Sequence, residues 1–319
     1  MASSAYARLP AGERDAAAAE AASADGSTIE LGPEREAPDA YPPRKTVAAL
    51  SLGLRRHKTA LLRILAVAFV TPLVVHFLCA YGPLARSRTL LPSPLREARS
   101  VLLVVAHPDD ECLFFSPAVT TLLQRGVNQP TGHILVMSSG NHYGLGEQRR
   151  LELKGSCREL GVADEHCEVL NERRDDPVFW WPEARLAQLI EPFVAKWGID
   201  LIVTFDQTGV SGHINHRAVG QALKVLKQTK PAFPPVYQNV GIFVLRKYAG
   251  LLDLPFVFLT YLPRLFTSEP TSERALLVGT WRQYFTARAA FHSHASQLVW
   301  DRYLSRYMYV NELCRADVC

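Results

Sequence analysis

Two short runs in this chain combine the residue types of a metal-assisted hydrolase. One is Ala106-His107-Pro108-Asp109-Asp110-Glu111, and the other is Gly209-Val210-Ser211-Gly212-His213-Ile214-Asn215-His216. His107 and Asp110 are three residues apart, a spacing that in a strand-to-helix turn brings an imidazole and a carboxylate onto one ion. Asp109, between them, points elsewhere and is free to act as a base. Pro108 fixes the turn, and the acids suit the positive end of the helix that follows. His213 and His216 repeat the spacing, among glycines that let the backbone turn tightly. One of these two histidines completes a His-Asp-His set that leaves a position open for water, the catalytic rather than structural zinc arrangement. Taken singly, the runs have plain readings: a turn with a solvated charge pair, and a common His-x-x-His on a helix. Together, each after its own apolar strand, they point to a site.

The elements that must position them are legible. Residues 101–105, 133–137 and 200–205 are apolar, β-branched runs that read as buried strands. Amphipathic stretches at 117–126, 147–160 and 183–197 read as helices between and after them. This alternation predicts an α/β domain, a Rossmann-like, mostly parallel sheet with helices on both faces. Sites in such sheets lie beyond the carboxyl ends of the strands, where both runs fall.

A chain of 319 residues holds one sizeable core plus appendages. Its net charge of +4, with Lys and Arg scattered, gives no basic block for nucleic acid. Residues 1–58 are expected to be disordered, most clearly the Ala-, Glu- and Ser-rich first 43. Residues 59–81 read as a transmembrane helix, since about 20 apolar residues cross a bilayer. Arg63 can snorkel, and a signal peptide is disfavoured by the distance from Met1. Basic residues flank the span almost equally, so the positive-inside rule does not orient it. Residues 82–99 read as a linker and 100–319 as the catalytic domain. The six cysteines form no Cys-x-x-Cys pair and read as reduced thiols in a cytosol-like compartment. Cys319 is misplaced for prenylation.

The two runs resemble the metal-site motifs of the LmbE/PIG-L family of metal-dependent de-N-acetylases. Further strings are similar to its eukaryotic branch: Leu245-Arg246-Lys247-Tyr248, Leu251-Leu252-Asp253-Leu254-Pro255, His294-Ala295-Ser296-Gln297 and Ser305-Arg306-Tyr307-Met308. The resemblance covers residues 100–313 and leaves residues 1–58 untouched. It implies that His107, Asp110 and His216 ligate a divalent metal, zinc or else iron(II). By the same resemblance, Asp109 takes a proton from the water that the ion acidifies. His213, when protonated, then stabilises the oxyanion and can protonate the departing amine. The implied substrate is a glycolipid, N-acetylglucosaminyl-phosphatidylinositol, deacetylated early in glycosylphosphatidylinositol-anchor synthesis. The implied setting is the endoplasmic reticulum membrane, with the protein single-pass and its catalytic domain facing the cytosol.

Other positions are open. Gly146-Glu147-Gln148-Arg149 resembles a further family stretch, and Arg149 is either a holder of the inositol phosphate or part of a solvated helix face. His294 either approaches the site or is structural, while Glu111 and Cys112 read as helix-start and packing residues. Ser211 stands where bacterial relatives often carry a tyrosine, so a phenolic oxyanion donor is not assumed. The loop at 171–177, expected to border the sugar pocket, is shorter than in animal relatives. Residues 256–262 are either a buried element or an apolar lip touching the membrane. Rival functions are de-N-acetylation of a soluble amino-sugar conjugate and a catalytically silent membrane scaffold. A nucleotide-binding Rossmann protein lacks support, because no Gly-x-Gly-x-x-Gly follows the first strand.

Overall fold

The structure, a computed structural model, describes residues 44–123, 130–170, 179–267, 273–299, 302 and 305–319. The expectations for residues 1–43 and for the loop at 171–177 fall outside the described residues. The chain divides into two compact units, residues 1–59 and 60–319. The described part of the first is the start of helix α1 (Arg44–Ala80). That helix begins at Arg44 rather than near residue 59, so residues 44–58 are helical and not the disordered segment expected. Its Arg56–Ala80 portion, 25 residues with a mean hydropathy of 2.2, is long and apolar enough to cross a membrane.

The second unit is built on a seven-stranded sheet with the order β3-β2-β1-β4-β5-β7-β6. Strands β1 (Ser100–Val105), β2 (Thr131–Val136), β3 (Cys167–Val169), β4 (Leu201–Phe205) and β5 (Val236–Asn239) run parallel. β7 (Val310–Arg315) is antiparallel to β5, and β6 (Arg274–Val278) is antiparallel to β7. Two reversals restore direction, so β6 points the same way as β1 and β4. Val101 to Val105 and all of β4 are buried, as continuous apolar strands covered on both faces must be.

Helices α5 (Gly146–Glu159), α6 (Glu183–Lys196), α8 (Ile214–Thr229) and α11 (Trp281–Ser293) cover the sheet. The shorter α2 (Ser93–Glu97), α3 (Asp110–Phe114), α4 (Ser116–Leu123), α7 (Gly209–Gly212), α9 (Val244–Tyr248) and α10 (Leu254–Leu259) complete it. Gly220 lets α8 lie directly on β4, since a Cβ there would strike the Phe205 carbonyl. Strand order reverses between β1, which leads to β2 on one side, and β4, which leads to β5 on the other. Such a switch point opens a crevice beyond the strand ends.

Two expectations need correction. Residues 82–99 are not a loose linker: Leu90, Leu91 and Leu95 are buried, and the Leu276 backbone N–H donates to the Leu90 carbonyl at 2.9 Å. Nor are all six cysteines reduced. Cys157 pairs with Cys167 and Cys314 with Cys319, at Cα–Cα separations of 6.5 and 6.1 Å, leaving Cys79 and Cys112 as buried thiols. The first pair joins the last turn of α5 to the start of β3, a strand too short to read from sequence. The second arises because the tail turns back, with the Cys319 N–H on the Arg315 carbonyl. The cysteines therefore lend no support to a cytosolic face.

Candidate active site

Both motif runs land in the crevice between the ends of β1 and β4. After β1 the chain enters α3 through Asp109, held at a left-handed φ of 105°. Such a backbone is costly for a non-glycine residue and persists only when its surroundings enforce it. Here the Asp109 N–H donates to Glu111 Oε2 at 3.0 Å. The turn throws the two neighbouring carboxylates apart. Asp110 folds back to accept the backbone N–H groups of His107 (2.8 Å) and Ala106 (3.2 Å). Asp109 faces two arginines instead: Arg302 Nη1 donates to Oδ2 at 2.7 Å, and Arg149 Nη2 lies 3.8 Å from Oδ1.

After β4, α7 carries the second strained residue, buried Val210 at φ 61°. Gly209, at φ 66°, could not bear a Cβ without meeting that of His216 at 2.9 Å. This tight corner brings His216 Nε2 to 3.2 Å from Asp110 Oδ1, while His107 Nδ1 lies 3.8 Å from Asp110 Oδ2. Nitrogens of His107, His213 and His216 all fall within 4.8 Å of one another.

The hydrogen bonds sort these histidines. His216 Nδ1 lies 3.1 Å from the Gly209 carbonyl, which can only accept, so that nitrogen holds a hydrogen. The Nε2 lone pair then faces the Asp110 oxygen, and two such atoms at that distance need a proton or a cation between them. A buried carboxylate, and an imidazole whose outer N–H rests on a backbone carbonyl, are what metal-binding histidines show. The donor set fits a divalent cation. His213 differs. It caps α8 by accepting the Asn215 N–H on Nδ1 at 3.3 Å, which places the hydrogen of the neutral ring on Nε2. In that neutral form His213 turns its Nε2–H to the cleft it lines.

Charge divides along the same line. Burial raises the Asp109 pKa and the charge of Asp110 raises it further, against the opposing pull of Arg149 and Arg302. For Asp110 burial is outweighed by His216 and His107, which hold it well below the usual carboxylate range. Burial draws the His216 pKa down, but Asp110 more than reverses this and leaves it raised.

The cleft, about 410 Å³, is lined by His107, Asp109, Asp110, His213 and His216, with Lys247, Tyr248, Gln297, Arg302 and Ser305 on its C-terminal side. The fold places the two weaker candidates. Arg149 lines the cleft and is not a solvated helix face. It is 8% exposed and donates to the carbonyls of Pro108 (2.6 Å) and Gly140 (3.3 Å). It clamps the His-Pro-Asp-Asp turn from beneath. His294 is fully buried and meets Glu111 Oε1 at 2.7 Å. Glu111, a helix-start residue as expected, also joins His294, Ser156 and the Asp109 backbone.

The C-terminal strings also converge. Asp253 accepts from Arg246 Nε at 2.7 Å and forms an ion pair with Arg306, whose Nε lies 2.9 Å away, and Arg306 Nη2 donates to Glu312 at 2.8 Å. Sequence reasoning missed Arg302 and Ser305 as cleft residues, because no periodicity or spacing ties them to the motifs far upstream.

The family described as PIG-L, GlcNAc-PI de-N-acetylase, matches residues 102–226, which hold every residue of both runs. The N-acetylglucosaminyl-phosphatidylinositol de-N-acetylase of Bos taurus is 39% identical over 222 residues, 66% of this chain and 81% of its own length. The chain belongs to the PIG-L family. A probable de-N-acetylase of the same name from Schizosaccharomyces pombe is 33% identical over 68% of this chain and 87% of its own. Among solved structures, a diacetylchitobiose deacetylase from Pyrococcus horikoshii superposes with a TM-score of 0.47 at 19% identity, covering 67% of this chain and 76% of that one. Within the PIG-L match, the His-Pro-Asp-Asp turn and the Gly-His-Ile-Asn-His corner are the two segments that meet at the crevice.

Proposed function

We propose that the protein hydrolyses the acetamide of N-acetylglucosaminyl-phosphatidylinositol, releasing acetate and the glucosaminyl lipid. The observation that carries this reading is the division of two adjacent acids, Asp110 against His107 and His216, Asp109 against Arg149 and Arg302. His107, Asp110 and His216 are the residues that would hold zinc or iron(II). When bound, such an ion supplies Lewis acidity, acidifying water and polarising the acetyl carbonyl.

Asp109 accepts the proton of the attacking water. Its raised pKa suits a base that must later give that proton up, here to the departing amine. Arg302 and Arg149 fix the direction of its carboxylate. The Nε2–H of His213 donates to the oxygen on which negative charge gathers, in a site already desolvated. Ser211 steadies His216 from behind, its Oγ 3.1 Å from Nδ1.

The substrate named for the relatives supports a glycolipid, and α1 supports a membrane-held enzyme. We place it in the endoplasmic reticulum membrane, single-pass, with the domain on the cytosolic side, by family membership. The paired cysteines pull towards an oxidising side, and alkylation after denaturation without reductant decides: free thiols at Cys157 and Cys167 support the cytosol. The activity test is hydrolysis of the lipid by purified full-length protein, with and without chelator. Activity lost on chelation and restored by zinc or iron(II) supports the reading. Activity indifferent to prolonged chelation sinks the metal assignment, and no release of acetate sinks the substrate.

A further inference from the structure

The end of α1 is built into the catalytic unit. Pro72, His76 and Cys79, on one face at helical spacing, are buried, and His76 Nε2 lies 2.9 Å from the Gly279 carbonyl. Gly279 follows β6, whose carboxyl end lies on the same edge of the sheet as the cleft. Cys79 joins a small core with Leu254, Val257, Phe258 and Tyr261, against which Val75 and Ala80 also pack. α10 and the last turn of α1 therefore share one small core.

Depth follows from arithmetic. A spanning helix needs about 20 residues at 1.5 Å each. Counted from Lys58, the charge before the apolar run, the hydrocarbon ends near Cys79. Counted from Arg63, it ends beyond Ala80. In both cases the boundary falls on or past the turn of α1 that shares a core with α10. The outer face of α10 suits that depth: Phe256 is 69% and Leu259 57% exposed, and Phe266 just beyond is 87% exposed. Large apolar side chains clustered on one face mark an interaction surface. Cations sit beside it, with Arg264 following α10 and Lys247 on α9 at the rim of the cleft. Asp253 ties α9 to α10 through Arg246.

We propose that residues 243–266 form a second, interfacial membrane element, seated in the leaflet where α1 emerges and holding the mouth of the cleft at the bilayer surface. Its occupant is the lipid bilayer, because α1 carries α10 to that depth. The two alternatives expected for residues 256–262 are then both true of one helix: its inner face is core and its outer face is lip. This rests on α1 spanning the membrane and is independent of the substrate's identity.

Spin labels on the full chain in lipid nanodiscs test it, at Phe256→Cys, Leu259→Cys, Val67→Cys within α1 and Ala195→Cys near the opposite edge of the sheet. Power saturation reads access to oxygen, which favours lipid, and to a nickel chelate, which favours water. Expected is loss of nickel access with gain of oxygen access at Phe256, Leu259 and Val67, and the reverse at Ala195. Nickel access at Phe256 and Leu259 equal to that at Ala195, with Val67 immersed, overturns the lip alone. Both reagents excluded at Phe256 shows a protein occupant, such as a second copy, and also overturns it. Val67 open to nickel overturns the span and the lip together. Inactivity on the glycolipid with labels immersed leaves the lip standing and removes only the substrate reading.

Discussion

His294 Nε2 lies 2.7 Å from Glu111 Oε1, with both side chains wholly sealed from solvent. Burial lowers the His294 pKa and Glu111 more than reverses it; burial raises that of Glu111 and His294 more than reverses it. Each partner therefore favours the charged form of the other. Through its other oxygen, Glu111 holds the Asp109 backbone in its left-handed turn. His294→Ala leaves an unpaired buried carboxylate, and breaking such a pair costs about 3–5 kcal/mol. Thermal unfolding should show that loss, with Glu111→Gln added to His294→Ala recovering part of it. No recovery in the double variant would count against a charged pair.

Asp109→Asn keeps the shape of the base but not its function. Turnover should fall by about 10²- to 10⁴-fold, the usual worth of a positioned proton acceptor. Bound metal and melting temperature should stay close to those of the parent. An active Asn variant removes Asp109 from the base role.

The tautomer of His213 separates donor from ligand. His213→Ala should cost about 10²- to 10³-fold in kcat, as loss of an oxyanion donor does, while metal content is retained. His216→Ala should lose the metal itself. Elemental analysis of the two purified variants decides, and metal loss in His213→Ala would make it a ligand.

Acid should weaken the domain through a residue remote from the cleft. His133 is buried against Trp197 and beside His166, and burial followed by His166 pushes its pKa down to about 4 from 6.5. The unfolded chain takes up that proton near pH 6.5 and the folded one only near 4. Stability is therefore full above about pH 6.5 and falls as pH drops towards 4. In His133→Leu the fall in melting temperature across this window should be shallower than in the parent. Parallel profiles would exclude His133 as the sensor.

Sequence showed the half of the architecture that rests on local pattern. β1, β2 and β4 are apolar runs bounded by turn residues, and α6 carries its periodicity openly, so their positions were legible. Both motif runs were legible too, because each sits at the carboxyl end of such a strand. β3 and β5 are too short to carry a pattern, and β6 and β7 are recognisable only by what they pair with. Arg149 shows the limit within the site. Its type suggested a phosphate holder or a solvated helix face, and only the fold reveals Gly140, at φ 69°, leaving room for its guanidinium beneath the turn. The roles of Glu111 and His294 were equally hidden, since a contact across 183 positions leaves no local trace.

The donors of the site come from opposite sides of the switch point, with His107 and Asn215 separated by 108 positions. During translation, His107 and Asp110 leave the ribosome long before the histidine corner exists, and β1 must wait for β4 before the crevice closes. α1 precedes both, so that helix is made before there is anywhere for an ion to sit. On the ligand set and the span proposed above, metal loading would come last, on a domain whose amino-terminal helix is already in place.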